Sequence, residues 1–204
     1  MRKAMSNKRQ QFACLCGSTD GAVLTELGLL LPVMAVLILG ALDAGHTLYM
    51  QATIQGAVQK AARDSGLESG LDSTNQAAID SKVRSQILIL NKNATVTFTR
   101  NAYKSFSSAK ANLESFTDTN GNGLCDNNEP FNDENNDGIR NDGSIVGGGS
   151  AKDSVLYTVT ATYPRMFPLN KLIGLPSTMT IKASTIMNNQ PFGDQAAGGV
   201  GHCP

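Results

Sequence analysis

Hydrophobic and polar positions are sharply segregated along the chain. Residues 22–42 form one apolar block whose only charged residue is Glu26, and residues 27–42 carry no charge at all. A membrane-spanning helix needs about 20 mostly apolar residues. The block therefore predicts a membrane anchor near the N-terminus. A buried core helix is the alternative, although such a helix rarely lacks a polar face over this length.

After the block, the hydrophobic positions become periodic. A narrow stripe at Ile54, Val58 and Ala61 predicts that the first helix continues to residue 65. A second helix is predicted from Thr74 or Asn75, with a stripe of Ile79, Val83, Ile87 and Leu90. Alternating Thr and β-branched residues predict strands at 94–100, 154–163 and 178–187. The expected fold class is α+β: a long N-terminal helix, then a small external domain with a short helix, an antiparallel sheet and a loop insert. The glycine-rich tail, 191–204, is expected to be irregular.

The charge balance hides an asymmetry between the two ends of the apolar block. The chain has 17 basic and 17 acidic residues, so it has no excess positive charge for binding nucleic acid. Residues 1–21 nevertheless carry four basic side chains and one acidic one. Positive charge next to an anchor favours the cytoplasmic side, which places the rest of the chain outside. A cleaved secretory signal fits less well, because residues 42–44 do not resemble its small-residue cleavage site.

Glu26 is unusual because an ionisable residue in a membrane segment is costly and is functional by default. Cleavage after Gly21 would create a new α-amino group on Ala22, four residues before Glu26. The ammonium group of one subunit could then pair with Glu26 of a neighbour while the apolar helices pack. The alternative is a carboxylate placed in the first helical turn, where the helix dipole favours it.

Residues 20–65 resemble the TadE-like family of tight-adherence (Flp-type) pilus pseudopilins. The resemblance implies cleavage after Gly21 by a prepilin peptidase, a pilin-like assembly helix that contacts other pilin or pseudopilin subunits, and insertion in a bacterial inner membrane. It also implies a periplasmic C-terminal domain that reaches the cell surface after assembly. The matching positions are Gly21, Glu26, Pro32, Asp43, Gly45, Tyr49 and Ala61-Ala62-Arg63.

The centre of the chain contains a calcium-loop motif. Residues 118–129 fit the twelve-residue pattern D-x-[DN]-x-[DN]-G-x5-E, in which alternate side chains supply oxygen ligands around a glycine turn. Calcium is therefore the expected cofactor, and a solvated, disordered acidic loop is the alternative. The predicted ligands of this first loop are Asp118, Asn120, Asn122, the Leu124 carbonyl, Asp126 and Glu129.

A second copy of the motif begins fifteen residues later, at Asp133. Its twelfth position is Ser144 instead of glutamate, so we expect weaker binding or recruitment of Asp142 as a ligand. Such tandem loops resemble bacterial extracellular calcium modules more than helix-flanked EF-hands. The predicted ligands of this second loop are Asp133, Asn135, Asp137, the Ile139 carbonyl, Asn141 and Asp142.

The cysteines divide between the leader and the external part of the chain. Cys14 and Cys16 would leave with the leader, whereas Cys125 and Cys203 would lie outside, where oxidation is permitted. A Cys125–Cys203 disulfide would tie the tail to the first loop. In the alternative, Cys125 fills the hydrophobic eighth position of the loop and Cys203 is free.

No catalytic pattern accompanies His46 or His202, so we do not expect an enzyme. We divide the chain into a leader (1–21), an assembly helix (22–65) and an external α+β domain (66–204) with a calcium-binding insert at 117–143. Two functions fit this division. The first is a minor structural subunit of a tight-adherence pilus or a related secretion filament. The second is an uncleaved single-pass protein that displays a calcium-stabilised adhesion domain.

Overall fold

The computed structural model describes residues 20–67, 73–167, 174–189 and 193–204. The predicted leader lies outside these residues up to position 19. By Cα proximity the chain divides into two compact units, Met1–His46 with Met166–Leu175 and Thr47–Arg165 with Pro176–Pro204. The boundary between them falls inside the first helix, at His46, and not at the helix end. The assignment of assembly and external domains to 22–65 and 66–204 stays a prediction.

Helix α1, Asp20–Leu67, contains the whole apolar block and Pro32. Its Gly21–Ser65 portion is long and apolar enough to cross a membrane, with a mean hydropathy of 2.4 in the most apolar window and none of that window buried. Most large hydrophobic side chains of the apolar block are exposed, whereas Val36 and Leu39 are half-buried and Asp43 is buried. The exposed side chains include Val23, Leu24, Leu27, Leu29, Leu30, Leu31, Val33, Met34, Leu37, Ile38 and Leu42.

The C-terminal part of α1 is amphipathic and contributes to a core. Ile54, Val58 and Ala61 are buried, as the stripe predicted, and they are joined by Met50 and Ala57. Helix α2, Ser73–Leu90, adds the predicted Ile79, Val83 and Ile87 to the same core. In this part of α1 only one face is apolar, and that face packs against the rest of the protein.

A four-stranded antiparallel sheet forms the other half of the core. The strands are β1 (Thr95–Tyr103), β3 (Ile145–Val146), β4 (Ser154–Pro164) and β5 (Thr178–Asn188), in the order β3-β1-β4-β5. Tyr157, Val159, Ala161 and Tyr163 of β4 face the core at alternate positions. The α+β class, the long helix and the antiparallel sheet predicted from the sequence are therefore confirmed.

A polar network connects α2 to this sheet. Asp80 of α2 accepts two hydrogen bonds from the Arg100 guanidinium, at 3.0 and 2.6 Å, and a third from the Tyr157 hydroxyl at 2.7 Å. Arg100 also lies over the Tyr157 ring, 4.6 Å from its centroid. The network fixes the orientation of α2 on the sheet, because all three groups are satisfied in one geometry.

The insert between β1 and β4 begins with the short helix α3, Phe106–Lys110, and contains strand β2, Pro130–Asp133. Strand β2 pairs antiparallel with β6, Gly199–His202. The expectation of an irregular tail is therefore wrong for these four residues. Gly201 explains the pairing, because any side chain there would overlap the buried ring of Phe131. Glycine weakens a strand on its own but is required where another element approaches this closely.

Candidate metal centre and assembly helix

The two predicted metal loops lie on either side of β2. The first runs from Asp118 to Glu129, directly before this strand, and the second begins at Asp133, the last residue of the strand. Both loops therefore start or end on a segment whose position is fixed by pairing with β6.

The first loop is folded around the Asp118 carboxylate. Its Oδ1 atom accepts from the backbone N–H groups of Gly121 (2.6 Å) and Asn122 (3.2 Å), and its Oδ2 atom accepts from Gly123 N–H (2.8 Å). Gly123 has φ +76°, which an L side chain rarely adopts. The Asn120 and Asn122 amides both donate to Asp126 at 3.0 Å. The side chains of four predicted ligands thus converge on one centre.

The second loop repeats this geometry fifteen residues later. Asp133 accepts from Asp137 N–H at 3.1 Å and from Gly138 N–H at 2.8 Å, and Gly138 has φ +75°. The Asn135 amide donates to Asn141 at 3.3 Å, as Asn120 does to Asp126 in the first loop. The predicted repetition of ligand positions is therefore a repetition of structure as well.

A buried glutamate closes the first loop. Glu129 is 1% exposed, and its Oε1 atom accepts from the Thr119 N–H (2.8 Å) and from the Thr119 hydroxyl (3.0 Å). Its Oε2 atom faces the N–H of Asp126 at 3.5 Å. The carboxylate therefore spans the second and ninth positions of the loop.

The second loop is closed by a residue that the motif does not include. Glu114 lies 19 residues before Asp133 in the chain and is 5% exposed. Its Oε1 atom accepts from Glu134 N–H at 2.7 Å, and its Oε2 atom accepts from Asn141 N–H at 3.2 Å. Glu134 and Asn141 are the second and ninth positions of this loop. Glu114 thus has the place in the second loop that Glu129 has in the first.

Asp142 and Ser144, the residues expected near the twelfth position, bond to each other. Asp142 Oδ1 accepts from the backbone N–H (3.1 Å) and the hydroxyl (2.8 Å) of Ser144. The other oxygen of Asp142, Oδ2, faces the Tyr103 hydroxyl at 3.4 Å. Neither oxygen of Asp142 therefore takes the contacts that Glu114 makes inside the loop.

The two loops are related by an approximate two-fold arrangement. Phe116 and Phe131 form an antiparallel bridge, flanked by reciprocal backbone hydrogen bonds of 2.9 Å from Thr117 N–H to Pro130 O and from Asn132 N–H to Ser115 O. A fifteen-residue shift relates Phe116 to Phe131, and it relates the donor and the acceptor of one hydrogen bond to those of the other. The segments before the two loops therefore pair with each other, and each carries the glutamate that closes the opposite loop.

Sequence reasoning missed Glu114, although a repeat pointed to it. The pattern Glu-x-Phe-x-Asp occurs at 114–118 and again at 129–133. The calcium motif begins at the first aspartate of each loop, so it includes Glu129 as the twelfth position of the first loop and excludes Glu114. A repeat unit that begins at the glutamate includes Glu114 and Glu129 at equivalent positions.

Burial and charge make this region electrostatically strained. Burial raises the pKa of Glu114, backbone hydrogen bonds oppose the shift, and the charges of Asp133 and Asp137 add to it. The N–H of Gly123 lowers the pKa of Asp118, and the N–H of Ile139 lowers that of Asp137. Backbone N–H groups therefore favour the ionised forms of Asp118 and Asp137, whereas burial disfavours the ionised form of Glu114.

Positive charge is scarce at these carboxylates. Among the described residues, no basic nitrogen lies within 4.0 Å of a carboxylate oxygen of Glu114, Glu129 or Asp133. Arg140 is close, but its Nε–H donates to the Glu114 backbone carbonyl at 2.8 Å, and its guanidinium lies over the Phe116 ring. Buried carboxylates without a counter-ion are unfavourable, and a bound cation would relieve the cost.

The donor chemistry fits a hard cation better than a soft one. In the part of the chain that the structure describes, no three histidine, cysteine or carboxylate side chains form a metal group by themselves. A complete ligand set would also need asparagine and carbonyl oxygens, which calcium accepts and zinc rarely uses. The Asn120 and Asn122 amides present nitrogen to Asp126, so their oxygens must turn inward to bind an ion.

A disulfide joins the first loop to the tail. Cys125 is the eighth residue of the loop, and Cys203 directly follows β6, with 5.3 Å between their Cα atoms. The Cys203 N–H also donates to the Glu129 carbonyl at 2.8 Å. The tail therefore holds both the middle and the end of the first loop.

The predicted processing and assembly residues lie in the first turn and a half of α1. Gly21, Ala22 and Glu26 are all exposed, and the Thr25 hydroxyl donates to the Ala22 carbonyl at 2.8 Å.

One comparison with known proteins gives a match, and it covers this helix. Residues 21–63 match the model of a family described as TadE-like protein. The match supports the resemblance of α1 to this pilus family and the interpretation of α1 as a membrane anchor, and it spans 43 of the 204 residues. No curated protein and no solved structure matches the chain.

Proposed function

We propose that the protein is a pilin-like minor structural subunit of a tight-adherence pilus or a related secretion filament. One observation carries the proposal: the segment similar to TadE-like proteins is a continuous helix whose N-terminal half is apolar and exposed over most of its surface. Before assembly this surface would lie in the inner membrane, with the C-terminal domain in the periplasm. In a filament, the helices of neighbouring subunits would cover it.

Processing after Gly21 would prepare the helix for assembly. A prepilin peptidase would remove the basic leader and leave Ala22 as the new N-terminus. The free ammonium group would then pair with Glu26 of a neighbouring subunit, because each charge is costly in an apolar environment and the pair is much less so. The pairing would also set the axial position of one helix against the next.

The test of processing is the N-terminus of the membrane-extracted protein. Intact mass and N-terminal sequencing are expected to give a chain that begins at Ala22. A Gly21→Leu variant should retain the leader, because a branched side chain replaces the smallest residue at the cleavage site. A wild-type chain that still begins at Met1 would contradict the proposal and favour an uncleaved single-pass adhesion protein.

The test of assembly is Glu26→Ala in the full chain. We expect loss of the subunit from sheared filaments while it stays in the membrane fraction, because the apolar surface of α1 is unchanged. Thr25→Ala is the matched control, since Thr25 is the neighbouring residue and its hydroxyl bonds only within its own helix turn among the described contacts. Equal incorporation of the Glu26→Ala and wild-type chains would argue against the pairing.

We further propose that calcium stabilises the external region. The first loop would hold the ion with Asp118, Asn120, Asn122, the Leu124 carbonyl, Asp126 and Glu129. The second would use Asp133, Asn135, Asp137, the Ile139 carbonyl and Asn141. The ion would supply positive charge to carboxylates that lack a basic partner. Affinities of about 10⁻⁴–10⁻³ M suffice for extracellular modules of this kind.

Calorimetry on the detergent-solubilised full chain tests the calcium proposal. Heat of binding and a rise in unfolding temperature are expected at millimolar calcium, since a ligand at ten times its Kd stabilises by about 1.4 kcal/mol. Both effects should disappear in an Asp118→Ala, Asp133→Ala double variant. A Lys152→Ala variant is the control, because Lys152 lies outside both loops. A wild-type protein that is unaffected by millimolar calcium would disprove the proposal.

A further inference from the structure

We propose that Glu114 is the carboxylate ligand that closes the second loop, in the place where that loop's own sequence has Ser144. The inference rests on the proposed calcium function and identifies a ligand that the loop motif does not contain. It also changes the relation between the loops. Each would be completed by the glutamate that precedes the other one.

The first support is that Glu114 enters the loop from outside. Its side chain is 5% exposed, although the residue belongs neither to the second loop nor to the hydrophobic core. Among the described residues it has no basic partner within 4.0 Å. Burying a carboxylate without a counter-ion is costly, so a buried one aimed at a ligand-spaced loop indicates a cation there.

The second support is the equivalence with Glu129. Both carboxylates bridge the N–H groups of the second and ninth loop positions, and the backbone contact between each glutamate and the ninth residue is also repeated. Glu129 N–H donates to Asp126 O at 3.0 Å, and Glu114 N–H donates to Asn141 O at 2.8 Å. Glu129 is the ligand that the complete motif assigns to the first loop. By the same geometry, Glu114 is its counterpart.

The third support is that Asp142, the residue expected to replace the missing glutamate, is engaged elsewhere. Asp142 bonds to Ser144 and Tyr103, as described above. Glu134 accepts from the Ser108 hydroxyl at 2.7 Å through Oε1, and its buried Oε2 atom has no hydrogen-bond partner among the described residues. Glu114 comes from outside the loop, and its two oxygens both bond to backbone N–H groups of the loop.

A reciprocal exchange of glutamates makes the two loops one unit. Ordering the first loop fixes Glu129 and β2, and β2 ends at Asp133, the first ligand of the second loop. Ordering the second loop fixes Glu114 and the segment that pairs with β2 through Phe116 and Phe131. Binding at one loop therefore prepares the other, and we expect positive coupling between two ions.

Nuclear magnetic resonance of the full chain, labelled with ¹⁵N-glycine, tests Glu114 directly. Gly123 and Gly138 each donate to the first aspartate of their loop, so their amide shifts report the two loops separately. In the wild-type protein both shifts should move with calcium. In Glu114→Gln the Gly138 response should need at least about tenfold more calcium, a loss of about 1.4 kcal/mol, while Gly123 still responds. Asp142→Asn is the matched control and should leave both responses in the wild-type range.

The outcomes distinguish this inference from the function on which it rests. If neither glycine of the wild-type protein responds to calcium, the calcium proposal and this inference both fail. If both respond in wild type and Gly138 responds normally in Glu114→Gln, only this inference is overturned. A response of Gly138 that is lost in Asp142→Asn but kept in Glu114→Gln would assign the ligand to Asp142 instead. Should Glu114→Gln fail to fold, Glu114→Asp keeps the charge, and its shorter side chain should weaken the Gly138 response selectively; an unchanged response would overturn the inference.

Discussion

At the scale of single residues, the chain separates polar groups that hold the fold from polar groups placed for a ligand. Asp80 has a guanidinium and a phenol as partners, and its charge is compensated within the protein. Glu114 and Glu129 are more deeply buried, yet backbone N–H groups are their main partners. The proposed calcium ions would balance the charge of Glu114 and Glu129, whereas Asp80 is balanced by Arg100.

Tyr157→Phe should lower the free energy of unfolding by about 1–3 kcal/mol, because the mutation removes a hydrogen bond to a charged, partly buried carboxylate. Urea unfolding of the detergent-solubilised protein measures the change. Tyr103→Phe is the matched control and should cost less, since its hydroxyl is 3.4 Å from Asp142. Equal losses in the two variants would show that the Asp80 contact contributes nothing specific.

The same residue predicts a loss of stability at high pH. Burial raises the pKa of Tyr157 far above its usual value, and the hydrogen bond to Asp80 adds to the shift. Because the folded pKa is the higher one, the stabilisation is complete below about pH 10, the pKa of an unperturbed tyrosine, and declines as pH rises further. Absorbance at 295 nm should show tyrosine ionisation that is delayed until unfolding, and Tyr157→Phe should reduce the amplitude of this step by one tyrosine.

At the scale of elements, burial depends on which face of a helix or strand each residue occupies. Ile87 and Ile89 lie two positions apart on α2, yet Ile87 is fully buried and Ile89 is 78% exposed. A helix turns about 200° over two residues, so such a pair samples opposite sides of the same element.

Ile87→Ala should destabilise the domain by about 2–5 kcal/mol through lost contacts and a residual cavity. Ile89→Ala, the matched control on the same helix, should change stability by no more than about 0.5 kcal/mol. Thermal unfolding followed by circular dichroism measures both. Similar effects for the two variants would contradict the placement of α2 on the sheet.

Gly201→Ala should disrupt the pairing of β2 with β6, because a Cβ atom at this position would overlap the buried Phe131 ring. Overpacking of this kind costs about 1–3 kcal/mol. Val200→Ala is the control on the same strand, since Val200 is exposed. Limited proteolysis should cut the tail faster in Gly201→Ala only. Wild-type resistance in that variant would show that the ring can move aside.

At the scale of the whole molecule, sequence periodicity predicted the elements that bury a stripe or alternate between two faces. The α1 and α2 stripes and the three long strands were predicted correctly. Each of these elements buries one face, so apolar residues recur at a fixed spacing in its sequence. Strand β6 could not be predicted in this way. Its residues, Gly-Val-Gly-His, have no strand pattern, and the pairing depends on space beside Phe131, 70 residues earlier.

The metal loops show the same limit. The spacing of the predicted ligands within each loop could be read from the sequence, because these ligands lie within twelve consecutive residues. The closing of the second loop by Glu114 depends on the pairing of two separate segments, and a motif that begins at the first aspartate does not include it. The fifteen-residue repeat of Glu-x-Phe-x-Asp is the sequence feature that indicates this pairing.

Reduction of the Cys125–Cys203 disulfide should destabilise the external region, since the bond closes a loop with a sequence separation of 78. The chain-entropy estimate for such a loop is about 4 kcal/mol. Urea unfolding with and without reductant measures the effect, and a Cys125→Ser, Cys203→Ser variant should match the reduced protein. Addition of reductant to that variant is the control and should not change its unfolding curve. If reductant also leaves the wild-type curve unchanged, the disulfide does not stabilise the protein.

The attachment of β6 to the first loop also sets an order of events during biogenesis. The loop leaves the ribosome well before the strand that completes it, because Cys203 follows Cys125 by 78 residues. If α1 is in the membrane as proposed, the Cys125 thiol would be unpaired during that interval, and the nearest competing thiols would belong to neighbouring copies in the same membrane. A higher local density of chains would then favour disulfides between immature copies over the intramolecular bond.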